Sequence, residues 1–259
     1  MAIRGETIWI TGASSGIGAA LAVELASQNN RIIISARSSE RLNAIAAKHA
    51  NIETLIFDIT DRHSLDTVRD ALHARVHHFD RVIFNAGTCE YLDIDAPDWS
   101  LPERVMTTNY FGLVNSLAVS FDLLKRAAHP HLIGIGSQAT RAPFPRAEAY
   151  GASKAAIGYF LESLRLDVAH LNIDVTHILP GFVDTPLTRK NDFPMPFIVT
   201  AENAAQRILA AIEARPFEYA FPRRLSASLW LARHCPKWWL RTMQKNSTRN
   251  TTAPTQSND

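Results

Sequence analysis

The chain has 259 residues, 46% of them hydrophobic and 20% charged, with a net charge of +2. That is enough to bury a full core, and it excludes the apolar-poor, highly charged composition of a disordered chain. The charge is uneven, with eight Lys/Arg against two acids in residues 215–259, so a basic tail follows a mildly acidic body; a nucleic-acid binder, whose basic residues spread over the folded surface, does not fit.

The first apolar run, TIWIT, begins at Thr7 and is preceded by neither the basic region nor the small-residue cleavage site of an export signal. It leads into TGASSGIG, with Gly12, Gly16 and Gly18, and then into the helical AALAVELAS. Glycine at a strand exit permits a tight turn, and glycine near a helix start lets backbone amides approach a pyrophosphate at the positive end of the helix dipole. The first strand-to-helix junction is therefore the expected dinucleotide site, built from Gly12, Ser14, Ser15, Gly16, Ile17 and Gly18.

The second strand, RIIISA, runs into Arg37, with no carboxylate before Glu40. An acid there would bind the ribose hydroxyls of NAD, whereas a guanidinium suits a 2′-phosphate, so NADP(H) is favoured over NAD(H). Further short apolar runs follow: IETLIFD, RVIFNAG, HLIGIGS and DVTHILPG, each of the kind buried on both faces of a sheet. Helix-period segments lie between them, among them SERLNAIAAKHA, SLDTVRDALHARV and AAIGYFLESLRLDVAHL. The uncharged run from Val105 to Phe121 is too polar and too short to span a bilayer and reads as a buried helix. The alternation predicts an α/β fold, a doubly wound, Rossmann-like parallel sheet of about seven strands with helices on both faces. Ligands in such sheets collect beyond the carboxyl ends of the strands. No linker, charge block or repeat interrupts the interior, which predicts one catalytic domain over residues 1–221. Cys89 and Cys235 show neither a CxxC nor a neighbouring His pair, so no metal site or disulfide is expected and a reducing cytoplasm fits.

The glycine loop, the Asn85-Ala86-Gly87 turn, Asn109, Ser137 thirteen residues before Tyr150, Lys154 four residues after it, and PGFVDT occur together in one order. In that combination the chain resembles the short-chain dehydrogenase/reductase family over roughly residues 5–221. The resemblance implies that Asp58, with Ile59, lies against the adenine, that Asn85, Ala86 and Gly87 line the adenosine ribose, and that Pro180, Gly181, Val183 and Thr185 hold the nicotinamide carboxamide. The residue before this turn is often Asn in the family and here is Phe84.

Four residues of helix bring Tyr150 and Lys154 to one face. A positive charge about 4 Å from the phenol favours its phenolate by roughly 4 kcal/mol at an effective dielectric near 20. The chemistry this predicts is hydride transfer between the nicotinamide and a carbonyl or carbinol carbon. Tyr150 exchanges the proton, Ser137 holds the substrate oxygen, Lys154 lowers the tyrosine pKa and anchors the nicotinamide ribose, and Asn109 holds a relay water, the last by resemblance. The alternatives are a silent dinucleotide-sensing or scaffold protein and an NAD-dependent alcohol dehydrogenase working oxidatively.

Residues 185–200 contain Pro186, Pro194 and Pro196, which forbid a long helix, and Phe193, Met195, Phe197 and Ile198, which offer apolar surface. The family covers its substrate at this place, so the resemblance implies a lid over a hydrophobic substrate, with Tyr91 and Trp99 as further contacts; packing on the body is the alternative. Residues 222–245 predict a basic helical extension. The stretch Arg223–Lys245 carries six Lys/Arg, no acid and Trp230, Trp238 and Trp239. A hairpin bent at Pro236 and packed on the body or on a second subunit is the favoured reading, with peripheral contact to an anionic membrane as the alternative. Residues 246–259 are polar and expected to be disordered. The family analogy implies a homo-oligomer, dimer or tetramer, and a small carbonyl or alcohol as substrate.

Overall fold

Alternation within the first strand sets the two layers of the core. β1 (Thr7–Thr11) turns Ile8 and Ile10 to one face of the sheet and Trp9 to the other, and all three are fully buried. The structure, a computed structural model, describes residues 3–247. In it β1 pairs in parallel with β2 (Arg31–Ala36) and β4 (Arg81–Phe84). The sheet continues through β3 (Ile52–Ile56), β5 (His131–Ile135), β6 (Asp174–Pro180) and a last strand β9 (Glu218–Phe221), in the order β3-β2-β1-β4-β5-β6-β9. Every pairing is parallel. The fold class read from the sequence is the observed one. Its seventh strand, EYAF, is short and only partly buried, so its pattern carries no run of buried aliphatics.

Over the Ile8/Ile10 face lie α1 (Gly16–Ser27), α2 (Ser39–Ala46) and α7 (Ala201–Ala214), contributing Leu21, Leu25, Leu42, Ile208 and Ile212. Over the Trp9 face lie α3 (Leu65–Arg75), α5 (Gly112–Leu124) and α6 (Glu148–Asp167), contributing Leu72, Leu123, Ile157 and Leu161. Each such side chain withdrawn from water stabilises the fold by about 1.5–3 kcal/mol. Trp9 stacks on Phe57 and Phe79, meets Phe84 edge-on, and donates its indole N–H to Ser35 Oγ at 2.8 Å. Phe84 thus belongs to the core, which explains an aromatic immediately before the Asn85 turn.

The predicted buried helix over 105–121 is broken into pieces. α4 (Leu101–Met106) passes into a five-residue π turn, Thr107–Phe111, before α5 begins. α4 packs Leu101 and Val105 against Ala149 of α6. Beyond β6, a two-stranded parallel ladder, β7 (Val183–Asp184) with β8 (Val199–Thr200), brackets the lid segment.

After the sheet the chain forms α8 (Arg223–His234) and α9 (Pro236–Ser247), separated by Cys235. Pro236 takes the first position of α9, where its missing N–H has no helical partner to lose. Leu225, Leu229 and Ala232 are buried against Ala142, with Phe144, Phe182 and Trp239 packed around them, so the pair is a hairpin laid on the body. Trp230, Leu231, Trp238 and Leu240 remain exposed. Among the described residues no helix is long and apolar enough to cross a membrane. Most of the polar segment 246–259 lies outside the described residues.

Candidate active site

The carboxyl ends of the strands open into one groove of about 1000 Å³. At its centre Gly12 adopts φ +68°, and a Cβ there would lie 2.5 Å from the Ala86 Cα, so only glycine lets the loop after β1 close on the turn after β4. Asn85 fastens the same junction, its side-chain amide donating to Gly12 O at 2.9 Å. Ser14, Ser15, Gly16 and Ile17 line the groove at the start of α1. Ser15 makes no capping bond with its side chain, and the first turn holds no acid. The positive helix end therefore faces the groove without a side-chain acceptor, as a pyrophosphate site requires. Gly18 is the exception in this set. It is buried, and a Cβ there would lie 2.4 Å from Asn85 Nδ2, so it serves the packing of α1 rather than lining the groove.

At the end of β2 the groove is lined by Arg37, Ser38 and Arg41. Arg41 was not singled out from the sequence, because only the α2 turn brings it beside Arg37. β3 stops at Ile56, two residues short of Asp58. Asp58 Oδ1 accepts from Thr60 N at 2.9 Å and from Thr60 Oγ1 at 2.7 Å, which fixes the carboxylate and leaves Oδ2 for a ligand. Ile59, Asn85, Ala86 and Gly87 complete this half of the groove, and Pro180, Gly181, Val183 and Thr185 line the other. Together these residues form a cradle that fits a dinucleotide.

Ser137, Tyr150 and Lys154 meet in the same groove. Ser137 follows β5 and its Oγ accepts from Ala139 N at 3.1 Å. Lys154 is 5% exposed, and its ammonium donates to Ile135 O at 2.9 Å and lies 6.0 Å from the centre of the Tyr150 ring. Burial pushes the Lys154 ammonium down to about 8, with Cys89 opposing. Burial also pushes the Tyr150 phenol up, helped by Cys89 and opposed by an interaction with the Ser137 hydroxyl. Burial is thus the largest influence on both groups, and one proton of the Lys154 ammonium is engaged by the Ile135 carbonyl.

Asn109 lies behind the groove, fully buried in the π turn. Its Oδ1 accepts from Thr88 N at 2.7 Å, and its Nδ2 donates to Thr88 O at 3.0 Å and to Ser153 Oγ at 2.9 Å. These bonds tie the turn to α6 and to the chain beyond Gly87, and they leave the carboxamide oxygen one further lone pair.

The short chain dehydrogenase family model matches residues 6–194. The chain belongs to the short chain dehydrogenase family. It is accordingly an oxidoreductase, and its relatives agree. It is 32% identical over 236 residues, 89% of this chain and 93% of the other, to an "uncharacterized oxidoreductase" of Myxococcus xanthus. It is 31% identical over 191 residues, 71% of this chain and 75% of the other, to sulfoacetaldehyde reductase 2 of Chromohalobacter salexigens. Among solved structures it is similar to a short chain dehydrogenase from Burkholderia cenocepacia in complex with NADP, with a TM-score of 0.78 and 25% identity, covering 96% of this chain and 100% of that one.

The substrate side of this dehydrogenase adds Cys89, Asn191 and Phe182 to the residues read from the sequence. Cys89 sits within electrostatic reach of Tyr91, Tyr150 and Lys154. Tyr91 donates its hydroxyl to Asn191 Oδ1 at 2.9 Å and meets Phe193 edge-on at 5.6 Å, and Phe193 in turn meets Phe182 at 6.1 Å. The lid segment is thereby latched to the loop after β4 by one aromatic. Met195 is held by a bond from Asn191 Nδ2 to its sulfur, whereas Phe197 and Ile198 are exposed, so the lid turns only part of its apolar set inward. Trp99, expected as a contact, is 68% exposed and stands away from the groove, because Ser100 and Leu101 turn the chain into α4.

Proposed function

We propose that the chain interconverts a carbonyl and an alcohol with NADP(H), on a hydrophobic substrate. The observation that carries this reading is the convergence of Ser137, Tyr150 and Lys154 in one groove with the glycine loop. A bound nicotinamide would supply or accept the hydride. Tyr150, kept protonated by burial, is poised to give its phenolic proton to the substrate oxygen, which favours reduction as the working direction. Ser137 holds that oxygen, and Lys154 is the cation that steadies the phenolate left behind.

NADP(H) is supported by Arg37 and Arg41 lining the groove where an NAD enzyme would carry an acid, and by the NADP complex of the similar structure. A carbonyl substrate agrees with the aldehyde named for the sulfoacetaldehyde reductase relative. Phe193, Tyr91 and Phe182 supply an apolar wall. The free thiols of Cys89 and Cys235 suit a reducing, cytoplasmic setting. The C-terminal hairpin is read as part of the enzyme body, since Leu225, Leu229 and Ala232 pack against Ala142, Phe144 and Phe182.

A second copy is the proposed partner. Tyr159 (78% exposed) and Leu166 (77% exposed) lie seven residues apart on α6, and Tyr159 borders a shallow groove with Tyr110 and Phe160. The test of the activity is a panel of aromatic and long-chain aldehydes and ketones with NADPH and with NADH. Tyr150→Phe is expected to bind NADPH normally and to lose about 10²-fold or more in kcat. Wild-type turnover in that variant would overturn the assignment.

A further inference from the structure

The C-terminal hairpin reaches the catalytic serine through one buried amide. Gln138, next to Ser137, is 1% exposed, and both polar atoms of its side chain are taken, one by the end of β9 and one by α8. Its Nε2 donates to Phe221 O at 2.6 Å, and its Oε1 accepts from Ser226 Oγ at 2.9 Å, one turn into α8. The same Phe221 carbonyl accepts from Gly181 N at 2.7 Å. The end of β9 therefore ties together the loop that carries Ser137 and the loop that lines the other half of the groove. Contact reinforces the tie, since a Cβ on Gly181 would lie 2.5 Å from Leu225 Cδ2.

Further along, the serine loop is held again from the same side. Arg141 pairs with Glu218 of β9. Trp239 of α9 donates its indole N–H to Pro143 O at 2.7 Å and meets Phe144 edge-on at 5.5 Å. Within the loop, Ala139 N donates to Ser137 Oγ and Thr140 Oγ1 donates to Ser137 O. The serine hydroxyl is thus oriented by a short turn whose outer side rests on the hairpin. A buried carboxamide oxygen accepts whatever donor faces it, and without Ser226 the Gln138 amide has no hydroxyl to hold its orientation.

We propose that Ser226 and Gln138 are positioning residues, and that α8 sets the placement of Ser137 against Tyr150. The inference rests on the assignment of those two groups to the reaction. It makes the extension a working part of the site rather than an appendage.

Ser226→Ala, Ser226→Thr and Gln138→Asn provide the test, with Ser228→Ala on the exposed side of α8 as control and Tyr150→Phe beside them. Amide hydrogen exchange over residues 137–142 needs no substrate and is expected to quicken about tenfold or more in Ser226→Ala, to stay as wild type in Ser226→Thr and Ser228→Ala, and to quicken in Gln138→Asn, whose shortened amide cannot span the gap. With a carbonyl from the panel that turns over, kcat in Ser226→Ala is expected to fall about ten- to a hundredfold with the KM for NADPH unchanged. The alkaline limb that Lys154 sets should stay in place, so the loss is a uniform lowering of kcat across the pH range, and the threonine variant should restore the plateau. Exchange unchanged in Ser226→Ala, or exchange quickened with kcat at the wild-type value, overturns the proposal. Turnover by Tyr150→Phe at the wild-type rate would instead remove the assignment beneath it, whatever Ser226→Ala does.

Discussion

Burial moves Tyr150 and Lys154 in opposite directions, and that opposition governs the pH behaviour at the scale of single residues. Burial pushes the Lys154 ammonium down to about 8, so its cation is present below that pH and lost above it. The phenol stays protonated over the same range. If the cation supports the forming phenolate, kcat/KM for reduction is level below about pH 8 and then falls about tenfold per pH unit. Lys154→Arg, which keeps its charge throughout, should lose that limb while working from a lower plateau; a wild-type profile level to pH 10 would contradict the role. Arg37 and Arg41 make a separate residue-scale case. Charge-assisted bonds to a phosphate contribute about 1.5–3 kcal/mol each. Arg37→Ala with Arg41→Ala should therefore raise the Kd for NADPH about a hundredfold or more while leaving that for NADH nearly unchanged, and equal losses for both would remove the preference.

At the scale of elements, β5 and β6 carry two buried histidines that must stay neutral. His131 Nδ1 accepts from Arg81 at 2.8 Å, and its Nε2–H donates to Thr176 Oγ1, which itself donates to Pro216 O. Burial, then Arg81, holds its pKa well below the ordinary value. His177 on β6 is 4% exposed and its Nε2 has no hydrogen-bond partner, so burial pushes it down to about 4, with Lys154 adding. Both groups take a proton more readily unfolded than folded. Their neutral forms cost nothing above about pH 6.5, and stability falls as the pH drops from there toward the folded pKa. For His177 the loss by pH 4 is roughly 3 kcal/mol. His177→Leu should flatten the decline of Tm between about pH 6.5 and pH 4.5 relative to wild type, as read by thermal melts. Parallel curves would place the acid loss elsewhere.

At the scale of the molecule, the sheet is covered on both faces, the hairpin closes its β9 end, and the outer side of α6 exposes Tyr159 and Leu166. Tyr159→Glu with Leu166→Glu places two charges on that stripe. If a second copy covers it, sedimentation should show the oligomer give way to monomer; an unchanged sedimentation coefficient would move the interface elsewhere.

The periodicity of the chain carried the parallel sheet and its helices, because strands buried on both faces need unbroken apolar runs and helices over them need one apolar stripe. The order of short motifs carried the family, since each glycine or acid stands at a strand end, where backbone geometry restricts the residue. Neither could carry what depends on contact between distant segments. Arg41 joins Arg37 only through the α2 turn, and Cys89 joins Tyr150 only when the loop after β4 folds back across α6. Gln138 meets Ser226 across eighty-eight residues of chain. Only the packed structure decided the proton affinities as well. The sequence fixes which charges are near in number, but the loss of water around Tyr150 and Lys154 is a property of the closed groove, and there desolvation exceeds the pairwise attraction that spacing alone suggests.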